Sequence, residues 1–360
     1  MDRPIILLGE TIMMFDPILD WFRGKAVTIP PLDGAFRPNQ VLDEAPVVAS
    51  LPSADNIVIY NGEILFSSGR SLLSVIPGRD PQMIQEYETD ITATAASPNS
   101  GLAVALASGT LFLEGKQLPL PGEVSCITAL SFASDGSLWI ANGAAGIAPT
   151  EWVRDLMMKG SSGSIWNIEP GSDKARKLVA GLAFPFGLLP SSGGVAVSEA
   201  WHHRILCVSK DGDTTTVIDN LPGYPARLSA ARDGAWLSIF APRNRLIEFV
   251  LQEKRYREDM IATVPPEFWI APSLASGESF LAPLQCGGIK TMGIHKPWSP
   301  SRSYGLVAKL DDALRPVGSF HSRANGVRHG TTSSIEHQGR LLVASKGGGM
   351  LVSVDATEIG

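Results

Sequence analysis

Along the chain, short runs dominated by apolar residues are each introduced by a pair or triplet of turn residues. Asn61-Gly62 precedes Glu63–Ser68, Asn99 to Gly101 precedes Leu102–Ala107, and Asp135-Gly136 precedes Ser137–Asn142. Gly193-Gly194 precedes Val195–Ala200, Asp233-Gly234 precedes Ala235–Phe240, and Gln338-Gly339 precedes Arg340–Ser345. A tight turn feeding a strand of alternating side chains is a hairpin signal. Most of the spacings are roughly forty to sixty residues, the period of propeller blades. The six units therefore predict an all-β, six-bladed β-propeller of four-stranded blades.

The rhythm breaks twice. Ala144 to Gly160 carries Trp152 and Leu156 four residues apart, which places them on one face of a short helix starting near Thr150. Between Phe240 and Tyr304 the strand signal stops, and Glu253–Ile261 reads as a charged helix ahead of Pro265-Pro266. These are expected as helical insertions in blades three and five, the second covering about residues 250–300, with Tyr304–Leu310 resuming blade five. A closed ring leaves no exposed edge strand, and Asn39–Val48 is the candidate strand that completes the blade of the opposite terminus. The reading is one domain over residues 1–360, with 1–20 as an N-terminal extension.

Composition agrees with many short strands. There are 36 Gly and 26 Pro, 44% of residues are hydrophobic and only 18% are charged. A net charge of −6 with scattered basic residues offers no continuous positive face, which argues against nucleic acid as a partner. The apolar run Pro4 to Leu8 is too short to span a bilayer and is broken by Glu10, so no membrane association is expected and the protein is read as cytoplasmic. Cys126, Cys207 and Cys286 are too far apart for a metal pair and are read as small core residues. The hydrophobic stretch Phe268–Leu284 suits pocket cover or a homo-oligomer interface.

Several stretches resemble the strictosidine-synthase-like family, itself related to the senescence-marker-protein/gluconolactonase and paraoxonase propellers. They are Gly163-Ser-Ile-Trp166, Gly181-Leu-Ala-Phe-Pro-Phe-Gly187 with Val197-Ser-Glu-Ala200 and Arg204-Ile-Leu206, Asn220-Leu-Pro-Gly-Tyr-Pro225 with Asp233-Gly-Ala-Trp236, and Tyr304-Gly-Leu-Val307. The resemblance implies a channel site at the inner ends of the blades. In calcium-dependent relatives that site holds the ion with one acid and several Asn/Asp oxygens. Here Phe186, Ala226, Arg227 and Thr128 stand at those positions, and only Asp55 keeps an anionic oxygen. Calcium takes six to eight oxygens, so no metal and no other cofactor is expected. The resemblance also places Thr332 where strictosidine synthase carries its glutamate.

The candidate catalytic residues are then Asp55, Arg227 and His329. Arg227 offers donors for an oxyanion, or else an ion pair to Asp55; His329 precedes the last inner strand and could move protons near neutral pH. Phe186, Tyr224, Thr128, Trp152, His202, His203 and Thr332 are the candidate substrate-binding residues, with at most one of the adjacent histidines facing the channel. Glu199 is expected to anchor a blade turn by accepting backbone hydrogen bonds. Ser198 lacks the Gly-x-Ser-x-Gly elbow, and Gly347-Gly-Gly349 opens no helix, so neither a serine hydrolase nor a phosphate loop is indicated. The expected function is metal-independent hydrolysis of a lactone or related ring in a small molecule. A strictosidine-synthase-like lyase or condensing enzyme and a non-catalytic metabolite-binding propeller are the alternatives.

Overall fold

The computed structural model describes residues 28–191, 193–275, 290–291, 294–295, 302–357 and 359. Six four-stranded antiparallel sheets form the blades of a propeller. Their inner strands are Ala54–Tyr60, Ile91–Ser97, Ile127–Phe132, Pro185–Ser191, Gly223–Ala230 and Thr331–His337. Each packs on the next around the ring, and the last packs on the first. The strands expected after the six turns are the second strands of the blades. Glu63–Ser68 and Arg340–Ser345 have the predicted bounds, and the others shift by one or two residues.

Blades are held together by apolar residues on both faces of each sheet. Trp139 packs towards blade four with Val195 and Val197, whereas the adjacent Ile140 packs towards blade two with Ala103 and Ala105. Successive strand residues point to opposite faces, so a strand between two neighbours must be apolar at both. Only the outer strands escape this, as in Gln82–Glu86, exposed throughout.

Ring closure departs from expectation. The closing strand is Val47–Ser50, paired with Met350–Asp355 as the outer strand of blade six, and Val41–Glu44 forms a short helix, α1, instead. Asn39 Oδ1 accepts the Val41 and His321 N–H groups at 3.2 and 3.0 Å, Asp43 accepts the Arg323 N–H, and Leu42 is buried. These side-chain bonds tie the segment to blade five. Pro46, without an N–H, marks where pairing can begin.

In an antiparallel blade the start of the inner strand and the end of the second strand share one face. Both insertions leave from second-strand ends and so roof the same mouth of the channel. The blade-three insertion carries α2 (Trp152–Met158), as expected. The blade-five insertion carries α3 (Arg245–Gln252) and α4 (Lys254–Thr263). Helix α4 matches the charged helix; α3 went unforeseen, although Asn244 caps it by accepting the Leu246 N–H at 2.9 Å and Ile247, Val250 and Leu251 bury its apolar face. Among the described residues no helix is long and apolar enough to cross a membrane. Cys126 is buried and Cys207 partly so. Cys286, the 1–20 extension and residues 276–284 of the apolar stretch lie outside the described residues.

Candidate functional site

Every inner strand breaks register near its first residues, and the blade-five strand does so twice, first between Tyr224 and Pro225. The breaks fall between Asp55 and Val58, Ile91 and Ala93, Ile127 and Ala129, Pro185 and Gly187, Pro225 and Leu228, and Thr331 and Ser333. A bulge frees the skipped residue from the ladder and re-aims its side chain. Of the residues skipped, Thr92, Thr128, Phe186, Arg227 and Thr332 line one cavity of about 70 Å³ at the roofed mouth. Trp201, Phe240 and Lys346 join from second-strand ends, Trp152 from α2, and Leu274 from the blade-five insertion. The Leu274 carbonyl lies where a Cβ at Gly347 would stand, only 1.7 Å away, so the roof can rest on that turn only because it is glycine.

The floor is a charge cluster. Arg227 reaches across the channel from blade five, donating from Nη1 to Asp55 Oδ1 at 2.9 Å and from Nη2 to the Thr92 carbonyl at 2.6 Å. Thr332 Oγ1 and the Asn56 N–H donate to Asp55 Oδ1 at 2.7 and 2.8 Å, and Lys346 Nζ to Oδ2 at 3.1 Å. Burial alone would raise the Asp55 pKa, but Arg227, Lys346 and these hydrogen bonds outweigh it and hold the carboxyl below its ordinary range. Asp55 is thus a fixed anion. Burial pulls the Arg227 guanidinium somewhat below its ordinary value, against the opposing pull of Asp55. Arg227 Nε and Thr92 Oγ1 are buried without a hydrogen-bond partner.

These residues do not fit a calcium ion. Both Asp55 oxygens already face cations, and Phe186 and Ala226 supply no oxygen from their side chains where two blades would have to. Among the described residues no three His, Cys, Asp or Glu side chains cluster to hold a metal.

The walls are aromatic. Trp201 stacks on Phe184 with ring centres 4.4 Å apart and on Trp152 at 6.1 Å, Phe240 meets Trp152 edge-on at 5.4 Å, and the Arg227 guanidinium lies 5.1 Å over the Phe186 ring. Phe184 adopts a left-handed φ of 57°, a conformation rare for a bulky side chain. Behind the wall, Asp155 accepts the Trp201 indole N–H at 2.7 Å, and burial raises its pKa despite that bond.

Of the residues singled out from the sequence, the structure brings together Asp55, Arg227, Thr332, Thr128, Phe186 and Trp152. The Thr128 hydroxyl is committed to the Pro185 and Ala141 carbonyls. Tyr224 is buried behind Trp201 and Phe240 and does not line the cavity. His203 lies beneath it, its Nε2 3.3 Å from Glu248, and the half-exposed His202 is paired with Glu199. Glu199 accepts the Ala183 N–H at 2.6 Å, as expected of a turn anchor. His329 is also outside the lining: its ring bonds Ser303 Oγ at 2.9 Å and the Arg323 carbonyl at 2.7 Å. Lys346, Thr92, Trp201 and Phe240 were missed. Aligning second-strand ends across blades would have found Lys346 and Trp201, each one or two residues past its strand.

Burial pushes the pKa of His203, His321 and His329 down, that of His321 to about 4. For a histidine lowered in the fold, the unfolded chain takes the proton first, so stability is lost as pH falls below the unfolded value near 6.5. Each contributes a slope of about 1.4 kcal/mol per pH unit until its folded pKa is reached. Urea unfolding from pH 7 to pH 5 should show falling stability. His321→Gln, which gives up bonds to Ser319 and Tyr304, should flatten that slope by about one such increment; an unchanged slope would place the titration elsewhere.

No family model matches the chain, and no curated protein matches it. Among solved structures, one provisionally described as a gluconolactonase, a structural-genomics target, superposes with a TM-score of 0.51 at 13% identity, over 87% of this chain and 91% of that one. A Xanthomonas campestris protein described as a gluconolactonase important in glucose secondary metabolism gives 0.49 at 13% identity, over 86% and 87%. At this identity the first likeness shows a shared fold.

Proposed function

We propose that the chain is a small-molecule hydrolase of the lactonase type, acting in the channel pocket without a metal. The observation that carries this reading is the convergence of Arg227 and Lys346 on a largely apolar, aromatic-walled pocket. A ring ester placed against the aromatic wall would present its carbonyl oxygen to these cations. When water adds to the carbonyl carbon, negative charge develops on that oxygen, and fixed donors in a water-poor site stabilise it. Collapse of the adduct breaks the ring C–O bond, and the proton lost by the water is gained by the departing ring oxygen. Asp55 holds the cations in place and takes no proton. The gluconolactonase description of the first structural neighbour agrees with this chemistry.

Binding without turnover is the second reading, favoured by one observation. Asp55, the sole carboxylate at the floor, is engaged at both oxygens, and no histidine lines the cavity among the described residues. A strictosidine-synthase-like condensation has less support, because the Thr332 hydroxyl is spent on Asp55.

A panel of aryl lactones, sugar lactones and acyl-homoserine lactones, assayed with excess chelator, separates these readings. Turnover of at least one compound should persist with chelator and fall by about 10²–10³ in kcat in Arg227→Met. No turnover above the Arg227→Met control would leave the binding reading.

A further inference from the structure

The charges on the cavity floor do not balance. Arg227 and Lys346 both pair with Asp55, and no other charged side chain lines the cavity among the described residues. One positive charge is therefore left in a pocket whose walls include Trp152, Trp201 and Phe240. A charge largely removed from water calls for a counter-ion. Within two of the lining residues, Arg227 Nε and Thr92 Oγ1 are buried without a hydrogen-bond partner, and such atoms are seldom left unmet in a native fold. Lys346 is one-third exposed and also borders the groove formed by residues 50–53 and 346–349, so the positive charge reaches the entrance.

We propose that this pocket is a binding site for a small aromatic monocarboxylate, its carboxylate against Arg227 and Lys346 and its ring against the tryptophans. A carboxylate accepts charge-assisted hydrogen bonds from both cations, and its single negative charge matches the surplus. A flat ring suits the stacked wall. At about 70 Å³ the cavity limits the ligand to a small one. A polyhydroxylated ligand is disfavoured, since the Thr128 and Thr332 hydroxyls already donate within the protein and unpaired ligand hydroxyls would be buried against rings. The inference rests on the cavity being the functional site and deepens the hydrolase reading: a neutral lactone yields a carboxylate product, which this site would retain as an inhibitor.

Benzoate, benzamide and acetate titrated at low salt, followed by calorimetry and tryptophan fluorescence, provide the test. Benzoate should bind at least about tenfold more tightly than either of the others, and added salt should weaken it while leaving benzamide unchanged. Lys346→Met should remove the preference for benzoate over benzamide, and Lys346→Arg should keep it. Equal affinity for benzoate and benzamide, or a preference untouched in Lys346→Met, overturns the proposal. Should Lys346→Met fail to fold, salt-independent benzoate binding by the wild-type protein overturns it equally. The two readings fail separately. Lactone turnover with no benzoate preference removes this inference alone, and benzoate binding without turnover of any lactone removes the hydrolase reading alone.

Discussion

Asp55→Asn is expected to destabilise the fold by about 3–5 kcal/mol, the range for breaking one partner out of a buried ion pair. The side chain is 2% exposed and its Arg227 partner 12%, so water screens little of the interaction. An amide at this position would leave Arg227 and Lys346 facing one another without an anion between them. Adding Arg227→Met should recover much of the loss, because it removes the more deeply buried of the two cations. Urea unfolding of the two single variants and the double closes the cycle. A single-variant loss under about 1 kcal/mol would give the cluster the weight of a surface pair.

Trp201→Ala should be comparably severe, at about 3–5 kcal/mol for deleting a core aromatic. Trp201 contacts Phe184, Trp152, Tyr224 and Phe240, and its indole N–H donates to the buried Asp155 carboxyl. Trp201→Phe separates the two contributions. It keeps a ring and should lose about 1–3 kcal/mol through the unmet carboxylate, with the loss shrinking as pH falls and Asp155 is protonated. The sign follows from the raised pKa of Asp155, since protonation relieves a buried charge that has lost its donor. A pH-independent loss in Trp201→Phe would assign the effect to packing alone.

The blades were legible because tight turns recur and because strands buried on both faces must be apolar. Closure was only half legible: a proline and two side-chain-anchored turns decide where the last strand begins, and hydrophobic pattern does not register them. In the site, Asp55, Arg227 and Thr332 were found from matched positions on separate blades. What brings Arg227 and Thr332 to Asp55 is the bulge in their own inner strands, a backbone event with no single residue signature here, whereas Asp55 stays in its ladder opposite Ser67. His329 and Tyr224 lie close in sequence to Thr332 and Arg227, yet they lie outside the cavity lining. Lys346 was hidden by the glycines after it, which drew attention to the turn.

Arg227 and Lys346 engage both oxygens of Asp55, and we propose that they take the place of a metal there. Calcium titration of chelator-treated protein by calorimetry, with melting curves in chelator and in excess calcium, tests it most directly. No saturable heat at one equivalent and superimposable melts are expected. Stoichiometric binding with a higher Tm in calcium would contradict it, and would mean that Arg227 and Lys346 leave Asp55 to admit the ion.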